Sequence, residues 1–65
     1  MEAKERLMIE QQAVEALRES SRNLTVAEQL LSVGNITEAQ RLRDRARENR
    51  EISVWLMKQA QRKDH

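Results

Sequence analysis

The segment Ser32-Val33-Gly34-Asn35-Ile36-Thr37-Glu38 holds the only glycine of a chain that contains no proline. Around it the sequence is rich in Glu, Gln, Arg, Leu and Ala, residues that favour helix at almost every position. This short segment is therefore the one clear place for the chain to turn. Gly34 can take the left-handed conformation that closes a helix, and Asn35 can cap the next one, with Glu38 three residues on to complete a capping box. Thr37 with Gln40 is a competing cap that moves the boundary by two residues. Either way the link is short, and a short link between two long helices makes them lie antiparallel.

The expected fold is all-α, an antiparallel helical hairpin in a single domain over residues 1–65. Helix 1 is predicted over about 2–33, the turn at 34–35, and helix 2 over about 36–62. Along helix 1 the apolar and small residues recur at Ala3, Leu7, Ala13 or Val14, Leu17, Ser20 or Ser21, Leu24, Ala27 and Leu31, a spacing of three and four that marks one stripe. Met8 and Ile9 widen it at the start, Leu30 and Val33 near the turn. A possible break lies at Ser20-Ser21-Arg22-Asn23, four mediocre helix formers followed by Thr25-Val26-Ala27-Glu28, which has its own capping-box spacing. The stripe of helix 2 reads Ile36, Ala39, Leu42, Ala46, Asn49, Ile52 or Ser53, Leu56 and Ala60. Ala39 and Ala46 permit a close approach, and Asn49 stands either at a seam position that sets register or at the stripe's edge in water.

The spacing of Ala27, Leu31, Gly34, Ala39 and Ala46 is similar to that of a single tetratricopeptide helix pair. The likeness covers about twenty residues, without that family's aromatic positions or a second repeat. It implies a helical hairpin and no family membership.

A 65-residue chain buries a modest fraction of its surface and needs help to be stable. Disulfides cannot supply it, because there is no cysteine, and cysteine-based zinc sites are excluded with them. Association with another chain is the remaining source. The charge is nearly balanced, twelve Lys and Arg against eleven Asp and Glu, so no global attraction to nucleic acid or membrane is implied. Residues 1–33 carry net −2 and residues 34–65 net +3, which favours folding one half against the other. With no signal-peptide pattern in MEAKERLMIE and no long apolar run, the expectation is a soluble cytoplasmic protein without a membrane segment. The triplets Asn23-Leu24-Thr25 and Asn35-Ile36-Thr37 match a glycosylation sequon, but here read as helix-end chemistry.

Nothing points to an enzyme, a metal or another cofactor. The only histidine is the last residue, His65, the glycine is alone, and the carboxylate pairs Glu15 with Glu19 and Asp44 with Glu48 read as solvated helix faces. The stretch RLRDRARENR, residues 41–50, is the best case for nucleic acid, with five arginines in ten positions. Asp44, Glu48 and Glu51 are interleaved with them, so the expected ion pairs are Arg41 with Asp44, Arg45 with Glu48, and Arg47 with Glu51. That pattern is first a solvated helix, and otherwise a surface for phosphates or for acidic protein groups.

The stretch EISVWLMKQA, residues 51–60, has more apolar surface than one face of a hairpin can bury. Ile52 and Leu56 continue the internal stripe while Val54, Trp55 and Met57 point elsewhere. Met8, Ile9 and Val14 show the same excess opposite them, so the surplus is expected at the end far from Gly34. Burying it against a second copy gives a four-helix homodimer, with Leu7, Leu17, Leu24, Leu31, Leu42, Ile52 and Leu56 in the scaffold. The functional expectation is a small adaptor or inhibitor that occupies the interaction surface of a regulatory protein such as a transcription factor. Val54, Trp55 and Met57 would supply apolar contact, and Arg43, Arg47 and Arg50 charge complementarity. The alternative is a helical dimer that binds nucleic acid through Arg41–Arg50, which in architecture alone resembles small plasmid RNA-binding bundles.

Overall fold

The structure is a computed structural model that describes residues 2–61. Arg62, the expected end of helix 2, and His65 lie outside the described residues. Two helices, α1 (Ala3–Ser32) and α2 (Ile36–Gln61), form an antiparallel hairpin 52 Å long.

The turn uses the chemistry expected of it. Gly34 has φ 81°, the left-handed conformation, and its N–H donates to Leu31 O at 3.1 Å while Asn35 N–H donates to Leu30 O at 2.9 Å. These two bonds form a Schellman motif that satisfies the last carbonyls of α1. Asn35, not Thr37, caps α2: its Oδ1 accepts from Glu38 N–H at 3.4 Å and its carbonyl accepts from Ala39 N–H at 3.1 Å. The reciprocal half of a capping box is not made, because Asn35 N–H is already committed to Leu30 and the Glu38 carboxylate pairs with Arg41 at 3.2 Å.

α1 runs unbroken through Ser20–Asn23. The hydroxyls there do not compete with the helix for its amides. Ser20 Oγ donates across to Ala46 O at 2.8 Å, and Thr25 Oγ1 donates back to Ser21 O at 3.1 Å.

The buried residues are small without exception. Ala13, Ser20 and Ala27 on α1 and Ala39, Ala46, Ser53 and Ala60 on α2 are all 6% exposed or less, and no large side chain among the described residues is fully buried. On each helix these positions recur every seventh residue, the repeat that keeps a seam in contact along a left-handed supercoil. A second row with the same repeat is half-buried: Ile9, Ala16, Asn23 and Leu30 on α1, and Leu42, Asn49 and Leu56 on α2. Two reciprocal bonds set the register, Ser20 Oγ to Ala46 O at 2.8 Å and Ser53 Oγ to Ala13 O at 2.7 Å. A serine hydroxyl reaches a facing backbone only where the helices approach closely, near the lower limit of about 8 Å for packed axes.

The seam has an internal two-fold character. Ala13, Ser20 and Ala27 recur thirty-three positions later as Ala46, Ser53 and Ala60, so the two serine bonds are equivalents of each other. The seam is also thin energetically, since each buried methyl contributes about 0.8 kcal/mol. The chain exposes 5401 Å², about a quarter more than a compact monomer of its mass.

Candidate interaction surface

The larger apolar residues of α1 form a stripe of their own beside the small-residue seam. Leu7, Val14, Leu17, Leu24 and Leu31 share one face of the helix and are exposed from 40% at Leu31 to 55% at Leu7. At 1.5 Å per residue they span about 36 Å, most of the length of the hairpin. The leucine set expected to hold the scaffold is thus divided. Leu42 and Leu56 sit half-buried in the second seam row, whereas Leu7, Leu17, Leu24, Leu31 and Ile52 lie largely open. The physical reason is that α1 carries two adjacent stripes, and the closer helix approach selects the one made of small residues.

On α2, Arg43, Arg47 and Arg50 are spaced four and three apart and flank the same side of the seam. Together with Leu24, Ser20, Gln40, Asp44 and Ala46 they line an open groove of about 440 Å³. The arginines expected to contact a partner are therefore brought together and set beside Leu24 of the stripe. We refer to this side of the hairpin as the front.

The ion pairs differ from those expected. Arg18 pairs with Glu15 at 3.1 Å, Arg22 with Glu19 at 2.8 Å and Arg41 with Glu38 at 3.2 Å, all exposed. In each the acid precedes the arginine by three residues, the order that suits side chains leaning toward the helix N-terminus. Arg41 with Asp44, Arg45 with Glu48 and Arg47 with Glu51 have the opposite order and do not form. Asp44 Oδ1 instead accepts from Gln40 Nε2 at 3.4 Å. Among the described residues Arg43, Arg47 and Arg50 make no ion pair.

Trp55 and Val54, 59% and 50% exposed, border a shallow hollow with Arg50, Glu51 and Lys58 on the outer surface of α2. Met57 is half-buried. At the end far from Gly34, Met8 lies with Gln11, Gln12 and Glu15 on the outer surface of α1 and Trp55 on the outer surface of α2, so the two do not form one patch. The apolar surplus is thus not confined to that end, as the sequence reading expected. It also recurs along the front of α1, interrupted by Glu10 and Glu28, and Val33 and Ile36 are exposed at the turn.

Among the described residues no cluster of His, Asp and Glu is arranged to hold a metal ion, and no helix is long and apolar enough to cross a membrane. Comparison of the chain with protein-family models, with curated proteins and with solved structures finds no match. The residue signal that distinguishes the two stripes is the sevenfold recurrence of Ala or Ser at 13, 20 and 27 and at 39, 46, 53 and 60. A reading in threes and fours merges them.

Proposed function

We propose that this chain is a non-enzymatic protein-binding module, an adaptor or inhibitor that occupies the interaction surface of a regulatory protein, acting as a cytoplasmic homodimer. One observation carries the reading: among the described residues the hairpin fully buries only alanines and serines, and it leaves four leucines and a valine exposed along one side of α1. Exposed apolar surface of that extent on a small, highly charged protein marks an interaction site. A second polypeptide supplies the apolar burial that the hairpin lacks.

Self-association into a four-helix bundle is proposed through the far end, where Met8, Ile52 and Trp55 are each half or more exposed. Trp55 is the only aromatic residue of the chain, and its emission reports on this directly. A spectrum that is blue-shifted at high concentration and moves red on dilution is the expected result. A red, concentration-independent spectrum in a protein that stays helical would sink the homodimer and leave Trp55 as a residue for a different partner.

A further inference from the structure

From the front of the hairpin we infer the chemistry of the partner: an acidic amphipathic helix that lies lengthwise in the groove between the leucine stripe of α1 and the arginine row of α2. The inference rests on the protein-binding reading and specifies it. Two features of the front have to be met together. Leu17, Leu24 and Leu31 recur every seventh residue, the period at which a heptad-patterned helix presents its own apolar positions. Arg43, Arg47 and Arg50 stand beside Leu24 within about 10 Å of helix rise, with Asp44 as the one carboxylate in the groove lining.

A second copy of this chain does not meet both. Symmetric stacking of two fronts has two forms. If each helix lies on its own counterpart, the leucine stripes meet, but so do the two arginine rows. If α1 lies on α2 of the other copy, each arginine row is laid mainly on leucines, with only Glu10 and Glu28 of the α1 front as counter-charges for three arginines. A single helix with an apolar stripe and carboxylates along one edge covers the leucines and pairs the guanidinium forks at once. Nucleic acid fits less well. Phosphates would engage the arginines, yet the leucine stripe would remain in water and Asp44 would face the backbone.

The test uses the full chain and two synthetic three-heptad peptides. Both have leucine at the heptad core positions; one carries glutamates along the adjoining edge and the other lysines. Binding is read by the anisotropy of a label on the peptide, and circular dichroism confirms that each protein variant remains helical. The acidic peptide is expected to bind at least about tenfold more tightly than the basic one, with the difference shrinking as salt rises. The variant R43E/R47E/R50E is expected to reverse the preference, and L17S/L24S to weaken both peptides.

Equal binding of the two peptides would overturn the acidic assignment and leave the protein-binding reading in place. No binding of either, with L17S/L24S leaving the association state of the protein unchanged, would overturn both. Displacement of the acidic peptide by duplex DNA or RNA at physiological salt would assign the groove to nucleic acid instead. Self-association that L17S/L24S abolishes, in competition with the peptide, would make a second copy the occupant.

Discussion

The hydroxyl of Ser53 donates to the backbone carbonyl of Ala13 at 2.7 Å, across the seam from one helix to the other. Its counterpart runs the opposite way, from Ser20 to Ala46. Both bonds are buried, and both acceptors are carbonyls within a helix, so each acceptor serves two donors.

Removing either hydroxyl therefore leaves no orphaned carbonyl. S20A and S53A are each expected to cost about 1 kcal/mol, the net value of a buried hydrogen bond without an unsatisfied partner left behind. Urea denaturation followed by circular dichroism measures this. A loss well above that in either variant would mean that the serine does more than bridge the seam.

The small residues are a steric requirement. A46L inserts a branched side chain where two backbones approach within serine reach, and overpacking of this kind costs about 1–3 kcal/mol. L24S, on the open stripe, is expected to change the stability of the monomer by less than half as much. Thermal unfolding of the two variants at a concentration where the protein is monomeric gives the comparison. Equal losses would place Leu24 inside the core of the hairpin.

Asn23 is half-buried in the second seam row, and among the described residues its Nδ2 has no hydrogen-bond partner. N23L replaces an unsatisfied amide with an apolar side chain of similar volume, and is expected to stabilise the hairpin by about 1 kcal/mol or more. A polar residue at a seam position can also enforce one register. The same variant is therefore expected to broaden the amide spectrum or to populate a second association state, read by NMR and sedimentation.

Gly34 has nothing within 4 Å of the position a Cβ would take, so an added methyl meets no neighbour. The cost of G34A is then purely conformational, about 1 kcal/mol for a left-handed alanine. G34N is expected to recover part of it, because asparagine tolerates that region. Denaturation midpoints of the two variants decide the point, and a loss of several kcal/mol in G34A would require a steric cause.

Much of the fold was legible in the residues themselves. The glycine and asparagine at 34 and 35 mark the turn, and the absence of proline together with the predominance of helix-favouring residues leaves helix on either side. Ser20–Asn23 was less legible, because a serine run read by propensity alone is a weak point. Ser20 is held in the helix by an acceptor on α2, and no local pattern contains that partner. The surface of α2 was half legible: the spacing of Arg43, Arg47 and Arg50 places them on one face, but not beside Leu24.

By itself, then, the sequence determined an all-helical chain, its turn at Gly34-Asn35 and an antiparallel pairing, all of which follow from local backbone preference and the length of the link. Which side of α1 meets α2 was decided by the tertiary structure. Leu17 and Ser20 are less than one turn apart and both repeat every seven residues, so periodicity permits either stripe to face inward. Close approach settles it. Alanine and serine let the backbones come near enough for two hydroxyl-to-carbonyl bonds, whereas leucines in the seam would hold the helices apart and forgo them. The larger apolar surface is left outside, beside the arginines, which is where we look for the partner.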